Sequence, residues 1–543
     1  MPSSVVADLS PTGWGDPARR TGLPAHAGTF LRDELGEAEP TPASAPPPLT
    51  PSALPEPAAA ALRAVVGAEH VLVDDDARLV RAAGRSYLDL LRLRGTETLD
   101  APDAVVLPGT AAEVAGVLRA CADAGVAVVP FGGGTSVVGG VTPLRGRFPA
   151  VVSVDLRRMD RLVGVDEQSR TATFEPGVRG PDAERLLAAY RLTLGHFPQS
   201  YEHASLGGYA ATRSAGQAST GYGRFDELVV ALELMTPVGP LRLGRGAATA
   251  AGPDLLGLVL GSEGAFGVVT SVTVRVRPVP AVKRYEGVFF RSWAEGCAAL
   301  REMEQGRVAP DVARLSDPEE TRAQLALAGT GGLKGRLGRT VLRARGYKGG
   351  CLAVFGWEGT ESGVAARRKA SLAVADRHGA FVVGTSVGDR WEHGRYHGPY
   401  LREDLLDAGY LVETLETSAT WSRLDATHAA VRTALSESLP RSIVMCHVSH
   451  LYAHGASLYF TVLTARSTDD PIAQWQRAKD SACAAIVASG ATITHHHAVG
   501  TDHRDWMTDE VGALGVEVLR AVKATLDPAG LLNPGKLIPT RED

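Results

Sequence analysis

Residues 130–140 read PFGGGTSVVGG, a glycine-packed turn that follows an apolar run. Within it Pro130, Phe131, Gly132, Gly133, Gly134, Thr135 and Ser136 form one candidate ligand loop. Three consecutive glycines permit positive φ and remove every Cβ that would bar close approach to a ligand. Thr135 and Ser136 add hydroxyls beside exposed backbone N–H groups, so the loop can form a nest for an anion such as phosphate. It matches neither common nucleotide fingerprint. No Lys-Ser/Thr pair completes a Walker loop, and the glycines miss the G-x-G-x-x-G spacing. Taken alone, the stretch is also compatible with a plain structural turn.

Four further places, the last a pair of segments, carry residue types suited to chemistry. PQSYEHASLGGYAATRSAGQASTGYG (198–223) is dominated by small residues, as suits contact of bare backbone with a flat or phosphorylated ligand, and Arg213 can answer a phosphate. A long surface loop is the alternative. GSEGAFG (261–267) is again bare, with Ser262 and Glu263 its only polar side chains. In ITHHHAVG (493–500) the triplet follows a β-branched run. It is expected to continue a strand end, placing His495 and His497 on one face and His496 on the other. That alternation, with no carboxylate or cysteine at ligand spacing, argues against a metal site and for catalysis or cofactor contact. Lastly, Arg402 sits among apolar residues in GPYLREDLLDAGYLVETLETSATW, where a guanidinium wants an anionic partner. Tyr459 lies in the alternating strand pattern of CHVSHLYAHGASLYFTV, so its hydroxyl either meets a core partner or points into a cavity.

The elements that must position these residues are legible in outline. At 543 residues the chain should hold two or more domains. Residues 1–60 are rich in Pro and Ala and predict a mobile or extended arm, in which GWGDP (13–17) is the piece expected to dock. From residue 61 to 280 the pattern gives strand, turn, helix and strand, then several short strands. Thr110 reads as an N-cap, Glu113 completes a capping box, and a helix over 111–124 ends before Gly125. Pro278 and Pro280 mark a boundary. Residues 281–494 mix strands and amphipathic helices as a second α+β domain, and 495–543 are expected to return to the first domain. A net charge of −5 gives no basic field, so nucleic-acid binding is unsupported. Five cysteines without C-x-x-C spacing argue against a zinc ribbon or a disulfide framework. With no apolar run near the roughly 20 residues of a membrane span, and no evident secretory signal, a cytoplasmic location is expected.

In collinear order, PFGGGTS, SYEHASLGGYAATRSAG, GSEGAFGVVTSVTVRVRPVP, APDVARLSD, YLRED…ETSATW, YAHGASLYF and THHHAVG resemble the vanillyl-alcohol oxidase and p-cresol methylhydroxylase family of FAD enzymes. Within it the likeness is greatest to the alkyldihydroxyacetonephosphate synthase branch. The resemblance implies an α+β fold, with a two-subdomain FAD-binding domain and an α+β substrate (cap) domain. It implies that residues 130–136 wrap the FAD pyrophosphate. Gln199, Ser200, Tyr201, Glu202, His203, Ala204 and Ser205 would line the rest of the cofactor. So would Thr212, Arg213, Ser214 and Ala215, and Gly261, Ser262, Glu263, Gly264, Ala265, Phe266 and Gly267. Tyr459 matches a tyrosine that moves a proton at the substrate carbon, Arg402 a substrate-binding arginine, and Arg314 an arginine needed for activity. His495, His496 and His497 match a triplet beside the flavin. His447 stands where the synthase branch often has arginine.

The implied reaction exchanges the acyl group of an acyl-dihydroxyacetone phosphate for a long-chain alcohol. Flavin N5 holds the substrate carbon covalently, and the cofactor ends in its starting redox state. FAD would be bound non-covalently, because the loop offers Thr135 and Ser136 where covalently flavinated relatives carry His or Cys. A lipid substrate would imply access to a bilayer surface, although no basic amphipathic helix is evident, and a homodimer is the default assembly. The alternative is a FAD-dependent D-2-hydroxy-acid dehydrogenase or oxidase on the same fold. A non-catalytic flavin-binding scaffold and a zinc hydrolase are the remaining contrasts.

Overall fold

A computed structural model describes residues 8–43, 45–327, 347 and 349–540. Its first domain rests on a sheet ordered Val71–Leu72, Ala104–Val106, Ala150–Asp155, Val126–Phe131. The last three of these strands run parallel. Such strands need a crossover, and the helix Ala111–Ala124 supplies it. Thr110 caps that helix by accepting from the Glu113 N–H, and Gly125 ends it at φ 62°. The capping box itself is shifted. The Glu113 carboxylate accepts from the Gly109 N–H at 2.8 Å and lies 3.3 Å from Arg158, which draws it away from Thr110. Ala150–Asp155 is buried at every position, as expected for a parallel strand covered on both faces. The strand Val126–Phe131 delivers the glycine loop to the carboxyl end of this sheet, where open α/β sheets bind ligands.

A second sheet is antiparallel, ordered Leu162–Asp166, Thr171–Phe174, Val268–Arg275, Val229–Thr236, Gly239–Leu243. Beyond Pro278 the cap domain forms around a seven-stranded antiparallel sheet among the described residues. Its order is Phe381–Gly384, Val282–Phe290, Cys351–Gly359, Val312–Ser316, Ile443–Tyr452, Gly455–Ala465, Tyr410–Thr420. Helices Trp293–Gln305, Glu361–Arg377, Leu424–Ser438 and Pro471–Ala488 share its core. The C-terminal segment lies back on the first sheet. Asn533 N–H donates to Val128 O at 2.7 Å, and Val128 N–H donates to Leu531 O at 2.9 Å.

The N-terminal 60 residues differ from the extended or mobile arm expected of their composition. Leu9 and Trp14 are buried against Tyr400, and Asp8 pairs with Arg157 at 2.8 Å and Arg179 at 3.0 Å. The helix Ala25–Leu35 buries Leu31 and Leu35 on the cap, and Glu56–Val66 buries Leu62 and Val66 on the first domain. Pro24 and Pro55 occupy the N-caps of these helices, so the prolines punctuate structure rather than prevent it. Burial of each large apolar side chain contributes on the order of 2 kcal/mol, which offsets the ordering of short segments. All five cysteines are buried and unpaired. No described helix is long and apolar enough to cross a membrane.

Candidate active site

The glycine loop is pressed onto the second predicted cofactor segment. A Cβ on Gly133 would stand 2.1 Å from His203 O, and one on Gly132 would stand 2.3 Å from Ser205 Oγ. Gly134 is needed for another reason, a φ of +70°. The triplet therefore serves packing as well as ligand access. The backbone N–H groups of Gly132, Gly133, Gly134 and Thr135 donate to no protein acceptor among the described residues. A run of unpaired donors in a partly buried loop fits the pyrophosphate of FAD. Gly133→Ala should therefore drive the loop off residues 203–205 and cut flavin occupancy at least about tenfold, since a sub-3 Å backbone clash costs well over 1.4 kcal/mol. The flavin-to-protein absorbance ratio of the purified variant checks this.

Several residues expected to line the cofactor have side chains that also bind protein. Arg213, at φ 51°, donates to Leu260 O at 2.9 Å and to Gly257 O, so its guanidinium is committed to the end of a neighbouring helix rather than left for a phosphate. Gln199 donates to Arg395 O at 2.8 Å, Glu202 pairs with Arg19 at 2.5 Å, and Tyr201 stacks on Tyr396. Ser205 caps the helix Leu206–Thr212, Thr212 donates to Gly208 O, and Ser214 meets His196 at 3.0 Å. Phe131 and Phe266 are core residues.

Glu263 braces the site. Its carboxylate accepts from Val499 N–H and Gly500 N–H, both at 2.8 Å, and Asn533 Nδ2 donates to its carbonyl at 2.6 Å. Glu263, Ala498 and Asn533 all have positive φ, at 52°, 76° and 40°. Strained non-glycine residues cost of order 1–3 kcal/mol each and persist where surrounding contacts over-determine them, as around functional sites. Burial pushes the Glu263 carboxyl up to about 7.

Strand register builds the reactive row. Tyr459 pairs with His447 on one side and Glu416 on the other, so three adjacent strands present His447, Tyr459 and Glu416 abreast. The Tyr459 ring stacks on His447 at 5.0 Å, with His497 and His496 at 5.5 Å and 6.0 Å. Its side chain is partly exposed, which a core tyrosine would not be. Burial raises its phenol pKa, against a hydrogen bond with Thr414 and the Arg402 charge, which lower it, so the hydroxyl is protonated at neutral pH.

The histidine triplet does not continue a strand. Residues 495–497 form a bend wrapped around Glu416, which accepts from the backbone N–H of His495 at 2.7 Å, His496 at 3.0 Å and His497 at 2.8 Å. The Thr494 hydroxyl adds a fourth donor at 2.7 Å. The β-branched run before the triplet loses to this buried anion, because four unpaired donors would cost more than strand propensity supplies. Burial would raise the Glu416 carboxyl, but the adjoining His496 charge and hydrogen bond hold it well below the usual carboxylate range. Burial pushes His497 down to about 3 and His495 well below its ordinary value, so both rings are neutral. Ring nitrogens of His450, His495 and His496 cluster within 4.8 Å. In this arrangement both nitrogens of His495 are engaged, by Tyr452 OH at 2.5 Å and by His496 Nδ1 at 2.9 Å.

Arg314 enters through an intermediary: it pairs with buried Glu320 at 2.6 Å, and Glu320 lies 3.1 Å from His447 Nδ1. Burial opposes ionisation of Glu320, yet His447 and Arg314 hold its carboxyl down at about 2. Arg402, on the helix Gly398–Asp407, donates Nη1 to Arg85 O at 2.7 Å, while its buried Nε and Nη2 have no partner among the described residues. Sequence reasoning missed Glu416 and Glu320. Their only local signal is an acidic residue inside an apolar strand or at a helix start.

Comparison with known proteins gives this arrangement its context. Residues 102–243 match the family described as FAD binding domain, and residues 279–537 match FAD linked oxidases, C-terminal domain. The chain is 34% identical over 483 residues to alkyldihydroxyacetonephosphate synthase of Dictyostelium discoideum, covering 86% of this chain and 79% of that protein. To the synthase of Trypanosoma brucei brucei it is 32% identical, covering 99% of this chain and 94% of the relative. A solved alkyldihydroxyacetonephosphate synthase structure superposes with a TM-score of 0.81 at 28% identity, covering 97% of this chain and 99% of that one. The collinear loops, the glycine nest and the tyrosine–histidine row thus lie in a chain that belongs to the alkyldihydroxyacetonephosphate synthase family of FAD-linked enzymes.

Proposed function

We propose that this site exchanges the acyl group of an acyl-dihydroxyacetone phosphate for a long-chain alcohol. One ester C–O bond breaks, one ether C–O bond forms, and a free fatty acid leaves. No net oxidation occurs. Bound FAD supplies the isoalloxazine at which this exchange takes place, held by the N–H nest of residues 132–135. The observation that carries the assignment is a protonated, half-buried Tyr459 in the field of an arginine whose buried Nε and Nη2 have no partner among the described residues.

Arg402 receives the substrate phosphate through Nε and Nη2, a charge-assisted contact that fixes the reacting carbon near Tyr459. Tyr459 holds and returns the proton at that carbon, while the rings of His496 and His497 pack against its ring and limit water. Arg314 acts through Glu320 to fix His447 beneath Tyr459.

Incubating flavin-loaded protein with palmitoyl-dihydroxyacetone phosphate and labelled hexadecanol should yield labelled ether lipid and free palmitate by mass spectrometry. Absence of ether lipid from fully flavinated protein would overturn the proposal. Arg402→Ala should raise KM for the phosphorylated substrate by about 10²-fold, in keeping with loss of a charged hydrogen bond worth roughly 1.5–3 kcal/mol. An unchanged KM would remove the phosphate role. Acid precipitation should release all flavin into the supernatant, because Thr135 and Ser136 provide no His or Cys linkage; colour retained in the pellet would contradict non-covalent binding.

A further inference from the structure

Arg85 is 1% exposed and makes no ion pair among the described residues, an expensive way to keep a cation. Its guanidinium is spent entirely on backbone carbonyls. Nε donates to Gly13 O at 2.8 Å, Nη2 to Ser10 O at 2.9 Å, and Nη1 to Gly84 O at 2.6 Å and Ala83 O at 3.3 Å. Two of these acceptors belong to the N-terminal segment, which is anchored separately by Trp14 between His203 and Tyr400.

The backbone of the same residue faces both halves of the site. Arg85 N–H donates to Ser136 O at 2.6 Å, at the end of the glycine loop. Arg85 O accepts from Arg402 Nη1 at 2.7 Å, the one hydrogen bond among the described residues that orients the Arg402 guanidinium. The preceding residue must be glycine, because a Cβ on Gly84 would stand 2.2 Å from Ser136 O. One residue therefore spaces the cofactor loop from the substrate arginine, and the Arg85 side chain fixes its backbone against residues 10–13.

We infer that Arg85 is a positioning residue for Arg402, tying phosphate recognition to the N-terminal segment and the glycine loop. This rests on the phosphate role given to Arg402 above. Lysine cannot reproduce it: a compact ammonium cannot span carbonyls of four separate residues in the plane of a guanidinium fork.

The test is calorimetric titration of dihydroxyacetone phosphate into flavin-loaded, full-length protein. Arg85→Lys should weaken binding about tenfold, or roughly 1.4 kcal/mol, with flavin content unchanged. In an Arg402→Ala background the same substitution should add less than about twofold, because its effect passes through Arg402. A purely structural role would instead lower thermal stability and add its full effect in both backgrounds. If Arg85→Lys fails to fold, Trp14→Leu, which loosens the segment carrying Ser10 and Gly13, should weaken binding in the same direction by about threefold, again only when Arg402 is present. Wild-type binding that neither substitution changes, or additive losses, would overturn the inference alone. Wild-type protein that binds no dihydroxyacetone phosphate and forms no ether lipid would overturn the functional proposal and the inference together.

Discussion

Replacing Tyr459 by Phe is expected to abolish turnover while flavin content stays at the wild-type level. The substitution removes only an oxygen. The ring remains stacked on His447 and close to His496 and His497, so packing of the three-strand row is retained. The lost group is a phenol that burial keeps protonated beyond neutral pH, in the fields of Glu413 and Arg402. A positioned proton donor contributes about 10²–10⁴ in rate, or roughly 3–5 kcal/mol of barrier. The fall should appear in kcat, with KM for the phosphorylated substrate changed little, because Arg402 remains in place. Tyr459 sits on the cap strand Gly455–Ala465, away from the glycine nest, so flavin should remain bound. Wild-type kcat in this variant would remove Tyr459 from the mechanism.

Glu416→Gln should damage stability and rate together. The wild-type carboxylate satisfies four donors of residues 494–497, and an amide presents an N–H to one of them in place of an acceptor. Each buried group left unpaired costs about 1–3 kcal/mol. The bend carrying the histidines would shift by a fraction of an ångström or more, and misplacement on that scale costs about 10² in kcat. A pH signature separates this from a general packing defect. Because the folded carboxyl is held well below its ordinary range, its contribution is complete above the unfolded value, about 4.3, and is lost as pH falls through the folded value. The Gln variant has no such proton uptake. Its midpoint for thermal unfolding should lie below wild type at pH 7, and the gap should close as pH drops below about 4. A gap independent of pH would show that the charge of Glu416 is not what holds the triplet.

What could be read from the sequence was local. The glycine run and the Thr110-capped helix follow from residues within a few positions of one another. Glycine needs no distant partner to permit positive φ, and a Thr hydroxyl finds its N–H three residues on. The proline-rich start misled because composition records chain stiffness and not docking. Leu31 and Leu35 are buried with Tyr410 and Val412, most of the chain away in sequence, whereas Trp14 docks on Tyr400 as expected of GWGDP. Arg213 misled similarly: an arginine in a small-residue loop looks available for phosphate until the carbonyls of Gly257 and Leu260 are brought to it.

By itself, then, the sequence determined the family, the FAD-type loops and the residues that had to be explained, chief among them Tyr459, Arg402 and the histidine run. The tertiary structure decided what those residues do to one another. Antiparallel register alone sets His447, Tyr459 and Glu416 side by side, although Glu416 and Tyr459 belong to strands separated by a helix and a third strand in the chain. Glu416 then overrides the β propensity of the residues before His495, because a buried carboxylate and four backbone or hydroxyl donors must satisfy each other, and that demand exceeds any local preference.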